Sequence, residues 1–163
     1  METLLREIEH ALDAGLFYLA LALSLSLPNI CAALDSPNGE SSGPRYRDWY
    51  DTNLAAKYKW FTAADCWSLR CGVLHQGRFG HPNMQYARVF FTLPVPNRIR
   101  HHNNIFNDAL NLDAITFCRD VVAAVRAWFQ ANQNSANVQR NLPKLVQFYP
   151  AGFAPYVDVP AIG

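Results

Sequence analysis

Between residues 15 and 34 the chain reads GLFYLALALSLSLPNICAAL, without one charged side chain. A helix apolar on every side does not lie on a surface; it belongs at the centre of a bundle or in a subunit interface. A secretory leader is the first competing reading. The preceding METLLREIEHALDA carries Glu2, Glu7, Glu9 and Asp13 against Arg6, whereas a signal peptide starts basic. A membrane span is the second. Ser24, Ser26, Pro28 and Asn29 interrupt the run short of the ~20 apolar residues a span needs. The expectation is therefore a buried core helix, no membrane and a cytoplasmic location. The pattern predicts one long helix over 2–26, with Pro28 opening a second helical piece.

At 163 residues, half of them hydrophobic, the chain is long enough to bury a real core and fits a single domain over 1–163. A net charge of +1 gives no global electrostatic pull toward nucleic acid or membrane, so any such binding must come from a local patch. Cys31, Cys66, Cys71 and Cys118 are scattered, and three fall in predicted helices, which reads as buried thiols rather than a disulfide frame.

Residues 36–44, SPNGESSGP, form a polar turn-rich loop. Residues 45–58 read as a helix with aromatic residues on one side. The segments YARVFFTLPV and NNIFNDALNL read as strands that pair in a small sheet. Asp113 then caps a strong helix with Cys118, Val121, Val122, Val125, Trp128 and Phe129 at helical spacing. The tail is broken by Pro143, Pro150, Pro155 and Pro160. The resulting fold class is mainly α: a helical bundle, a small antiparallel β hairpin or sheet at about 84–112, and an irregular C-terminal tail over about 143–163.

The segment DCWSLRCGVLHQG, residues 65–77, carries the chemistry. Thr62 with Asp65 is an acidic capping box, which starts a helix at about Ala63. Gly77 stands where a left-handed stop is expected and leaves His75 in the last turn. Ser68, Cys71, Gly72 and His75 share one small-residue face. Ala63, Cys66, Trp67, Leu69, Val73 and Leu74 make an apolar arc, and Arg70 falls inside it. A guanidinium there must meet a carboxylate, reach the rim or face a polar cleft, because desolvating an isolated charge costs several kcal/mol. Arg70 and His75 lie about 140° apart on an ideal helix. They converge only if the last turn unwinds, if Arg70 reaches around, or if two copies of the helix meet across a two-fold axis.

An Arg followed after a few residues by His, late in a helix of a small bundle, resembles the HEPN superfamily; here the match is Arg70-Cys71-Gly72-Val73-Leu74-His75. The resemblance implies an up-and-down helical bundle, a homodimer, and in active members a metal-independent endoribonuclease of toxin or defence systems. An antitoxin-type protein partner belongs to the same implication, and no cofactor does. Other members bind nucleotides or lack activity. Members often place a polar Asn, Asp or His directly after the Arg, where this chain has Cys71. On this reading His75 is the general acid or base on the ribose 2′-hydroxyl and the leaving oxygen, and Arg70 holds the phosphate. Asp48 or Asp51 would orient either residue. Arg98, Arg100, His101 and His102 form the one local basic cluster and are the candidate RNA contacts, with a solvated turn as the plainer reading.

Two structural readings compete. In the first Arg70 simply pairs with Asp48, Asp51 or Glu9, and in the second His75 caps the last carbonyls of its helix. A non-catalytic nucleotide- or protein-binding dimer of the same fold is then the alternative function. Trp49, Tyr50, Tyr58 and Trp60 are able to stack on bases, but their helical spacing favours core packing. Cys71 and His75 share the i, i+4 spacing of paired metal ligands, with His81, His101 and His102 as conceivable partners. No second ligand pair supports a metal site, and none is expected.

Overall fold

Two helices, not one, form the first 34 residues. The computed structural model describes residues 1–79, 84–97 and 100–163. Its helix α1 spans Glu2–Asp13 and α2 spans Phe17–Leu34. The chain breaks at Gly15, whose φ of +72° is left-handed and therefore suits glycine. Leu16 N–H reaches Ala11 O and Gly15 N–H reaches Leu12 O, the paired bonds of a Schellman stop. The expected helix over 2–26 is corrected here. A local backbone bond pattern at one glycine overrides the apolar periodicity that runs through it.

Pro28 does not begin a helix either; it lies buried inside α2. Proline removes one backbone donor there. The surrounding helices nevertheless hold α2 straight through, since it packs against α1, α3 (Gly43–Asn53), α4 (Ala63–Gln76), α5 (Ala114–Asn132) and α6 (Ala136–Asn141). By length and composition α2 is apolar enough to cross a membrane, but half of it is buried inside this fold.

The loop expected over 36–44 ends early. Ser42 caps α3 by accepting from Arg45 N–H, with Pro44 in the first turn. The predicted helix over 45–58 closes at Asn53, and a short 3₁₀ turn, Ala55–Lys57, completes it. Tyr46, Trp49, Tyr50 and Tyr58 are buried as expected of core aromatics, whereas Trp60 is exposed. Phe61 and Phe117 join the same aromatic cluster through edge-on contacts with Tyr58.

The sheet is mixed rather than antiparallel. β1 (Arg88–Thr92) runs parallel to β3 (Ala109–Asp113), and β2 (Asn104–Phe106) pairs antiparallel to β3, giving the order β1-β3-β2. The reason lies at Asn107 and Asp108, both with positive φ, which make a two-residue hairpin turn inside what reads as one strand. That turn reverses the chain so that its second arm, β3, falls beside β1 in the same direction. Val89, Leu110 and Leu112 are buried in the core. Asp113 both ends β3 and caps α5, its carboxylate accepting from Thr116 N–H at 2.8 Å. In the tail, Phe148–Tyr149 pairs antiparallel with Ala161–Ile162. At the far side of the fold, Arg126 of α5 clasps Glu2 and Glu9 of α1 at 2.7 Å each.

Candidate functional site

Helix α4 has the predicted bounds because both of its ends are encoded locally. Thr62 accepts from Asp65 N–H, and Asp65 accepts in return from Thr62 N–H. Gly77 at φ +62° makes the left-handed stop. Asp65 is only 2% exposed and also takes the Gln85 backbone N–H at 3.2 Å and the Gln85 side-chain amide at 2.7 Å. One carboxylate thus caps α4 and anchors the chain returning toward β1.

The other end of the helix differs. Arg70 Nη1 lies 2.9 Å from His75 Nε2. The two predicted residues meet within one protomer although an ideal helix separates them by about 140°. Two features close the gap. The final turn is wide: Gly77 N–H bonds to both Gly72 O and Val73 O, and Arg78 N–H reaches Gly72 O. More residues in a turn means less rotation between positions 70 and 75. The long Arg70 side chain covers the remainder.

Arg70 rests on a built shelf. Its guanidinium carbon stands 5.3 Å from the centroid of Trp67, a cation–π contact. Trp67 in turn packs on Tyr46, ring centroids 5.1 Å apart. Tyr46 is fixed by donating its hydroxyl proton to Leu25 O and by a contact with Cys66 Sγ. Gly43 packs close beside this stack: a Cβ there would stand 3.2 Å from Trp67 Cε2, a tight contact that the ring would have to relieve by a few tenths of an ångström. Helices α2, α3 and α4 therefore all contribute to where Arg70 sits. The sequence pattern placed Trp67 in an apolar arc but gave no sign that it supports the guanidinium. It also placed Leu74 in that arc, and Leu74 is exposed.

Among the described residues no carboxylate pairs with Arg70, and its Nε is buried without a partner. Glu9, one of the three expected carboxylate partners, belongs to Arg126 instead. Asp48 and Asp51 are exposed on α3, and no hydrogen bond joins either one to Arg70 or His75. Asp48 lines a separate groove of about 460 Å³ with Asp35, Trp49 and Trp128.

A guanidinium only donates, so the 2.9 Å contact is a hydrogen bond in the tautomer that turns the Nε2 lone pair toward Arg70. A proton on Nε2 would turn this contact into repulsion. Among the described residues the pair is thus a cation without a counter-carboxylate beside an imidazole whose Nε2 is engaged. An oxyanion entering between them can take donation from Arg70 and free Nε2 to accept a proton.

No hydrogen bond among the described residues joins the basic cluster to this pair. Arg100 and His101 are exposed. His102 is half-buried and uses Nδ1 to accept the Asp113 backbone N–H at 3.1 Å, a structural role. Arg98 and His81 lie outside the described residues. Cys71 and His75 do not assemble with a third His, Cys, Asp or Glu in any metal-binding group among the described residues. Burial holds the other thiols protonated: Cys66 is pushed up to about 12, Cys118 up to about 11, and Cys31 further in the same direction. No protein-family model, curated protein or solved structure matches the chain.

Proposed function

We propose that this is a HEPN-like, cytoplasmic protein with an up-and-down bundle, acting on RNA as a metal-independent endoribonuclease of the toxin or defence type. The observation that carries the reading is the Arg70–His75 contact of 2.9 Å at an exposed helix end, with no carboxylate matching the guanidinium among the described residues. Arg70 binds the scissile phosphate and stabilises its developing charge. His75 Nε2, released from Arg70 by that phosphate, takes the 2′-hydroxyl proton as the ribose oxygen attacks phosphorus. The bond to the 5′-oxygen breaks as the His75 imidazolium gives that proton to the leaving oxygen, leaving a 2′,3′-cyclic phosphate, a 5′-hydroxyl and a neutral imidazole, so no water, metal or oxidant enters the first step. A homodimer brings two such pairs to one composite cleft, and an antitoxin-type protein is the partner that would restrain it.

The same contact favours a second reading. Arg70 and His75 satisfy each other, and Cys71 stands where a polar residue usually follows the Arg. A non-catalytic dimer that binds a nucleotide or a protein through the pair fits both facts. Purified protein incubated with RNA in excess chelator, beside Arg70→Ala and His75→Ala, separates them. Cleavage lost in both variants supports the nuclease. Equal cleavage in all three marks contamination and overturns it. RNA bound but uncut by the wild type, with binding weakened in Arg70→Ala, establishes the binding reading.

A further inference from the structure

Helix α2 is the hub of the fold, yet one side of it is open. The open side follows a regular spacing: Leu16, Leu19, Leu23, Ser26, Ile30 and Ala33, alternating three and four residues apart. None of the six is fully buried, and Leu16, Leu19 and Leu23 are 51%, 53% and 36% exposed. This is the seam that two helices use when they pack side by side, knobs into holes, at a shallow crossing angle. Inside one chain nothing among the described residues fills it. We infer that two copies of this chain meet along this seam, α2 against α2.

Three observations select a second copy as the occupant. The first is charge. α2 has no charged residue anywhere, so matching the seam against itself buries no ion, whereas an amphipathic helix from another protein brings flanking charges that find no counter-charge here. The second is hydrogen bonding. Ser26, the polar position of the seam, already donates to Ala22 O at 2.8 Å and carries no unmet donor into the interface. Ser26 and Ala33 are small and allow close approach of the two backbones. The third is area. The exposed parts of Leu16, Tyr18, Leu19, Leu23, Phe79 and Phe90 offer on the order of 500 Å², taking roughly 150–200 Å² per large side chain. Ser26, Ile30 and Ala33 extend the patch toward the roughly 800 Å² per partner of a standard interface. A patch of this size stands at the upper end of what a monomer leaves in water, and such patches often mark an interaction site.

The edge of the seam touches the chain that leaves the candidate site. Tyr18 meets Phe79 edge-on at 6.4 Å, and Phe79 follows His75 by four residues. Both rings wall an apolar groove of about 360 Å³ that continues the patch onto β1 through Val89 and Phe90. Pairing along α2 therefore brings the two α4 ends toward the same interface. The inference deepens the dimer in the proposed function and rests on that reading only for the composite cleft; association along α2 holds or fails without RNA cleavage.

The test is sedimentation of the full chain across the micromolar range, with wild type beside Leu19→Glu/Leu23→Glu. Both leucines are solvent-facing, so circular dichroism and the thermal midpoint should stay at wild-type values at concentrations where both proteins are monomeric. The dimer dissociation constant should rise at least ~100-fold. Leu16→Glu alone gives a smaller rise and serves if the double variant misfolds. Tyr156→Glu, on an exposed part of the tail, leaves the dimer unchanged. A wild type that is monomeric throughout overturns the inference, as does a dimer equally tight in the glutamate variants. A monomer that floats with phosphatidylcholine–phosphatidylglycerol vesicles, and stops doing so with the glutamates, assigns the face to a bilayer instead. A seam-dependent dimer that cuts no RNA supports the interface and refutes only the nuclease.

Discussion

The two ends of helix α4 handle charge in opposite ways. At its start, Asp65 is buried and accepts from Thr62 and Gln85 through four side-chain contacts, two to backbone N–H groups. At its finish, Arg70 and His75 have, among the described residues, each other and the face of Trp67. A buried charge whose bonding capacity is filled is a structural fixture, and nothing arriving from solvent could improve its lot. A cation held in place with no counter-carboxylate is a group prepared for an anion. The difference ties one end of a single helix to stability and makes the other the candidate for the proposed chemistry.

Two substitutions should separate these roles most sharply. His75→Ala is expected to lower RNA cleavage by about 10²–10⁴-fold, the usual contribution of a general acid or base, with the thermal midpoint unmoved. Cleavage rates measured in chelator alongside a melting curve check both halves. Asp65→Ala should do the reverse in kind. It removes the cap and the Gln85 anchor together, costing about 2–3 kcal/mol and lowering the thermal midpoint by roughly 5–10 °C. If Asp65→Ala melts like the wild type, the division between the two ends collapses.

Gly77→Ala sharpens the comparison at the finish of α4. A Cβ at Gly77 meets nothing within 4 Å, so its cost is the left-handed backbone alone, about 1 kcal/mol in chemical denaturation. The wide final turn that brings His75 to Arg70 is altered with it. Cleavage should therefore fall several-fold, a loss that stability at this level does not account for. The smallest effect belongs to the ion cluster away from α4. Arg126 holds the Glu2 and Glu9 carboxyls below their ordinary values, chiefly through the hydrogen bonds it donates. Their folded pKa is depressed, so the stabilisation is present above the ordinary carboxylate range and disappears as pH falls through the depressed values. All three side chains are more than a third exposed, which limits the gain to about 0.5–1 kcal/mol. Melting curves of wild type and Arg126→Ala should differ slightly at pH 7 and converge once the pH is taken below the depressed carboxyl values.

What the sequence made legible follows the range of the interactions involved. Helix α4 was readable to the residue because Thr62, Asp65 and Gly77 signal over three or four positions. Asp113 capping α5 was readable for the same reason. The break at Gly15 was not, since the apolar pattern on either side is continuous and only the backbone bonds reveal the stop. Sheet direction was hidden because it depends on which strands meet, and Asn107–Asp108 passed for strand interior. The candidate pair was legible as residues but not as a contact. Helical angles alone set Arg70 and His75 apart, whereas the wide last turn and the Trp67 shelf, built from Tyr46 on another helix, bring them together.

Asp113 serves two masters. It is the last rung of the β1–β3 ladder, opposite Thr92, and it is the cap of α5. Sliding β3 along β1 by one residue would turn Leu110 and Leu112 outward, as any one-residue slip must. It would also drag the cap off a nineteen-residue helix. The alignment of the sheet is thus proofread by a helix that has no part in it, and a misaligned intermediate is penalised in two distant places at once.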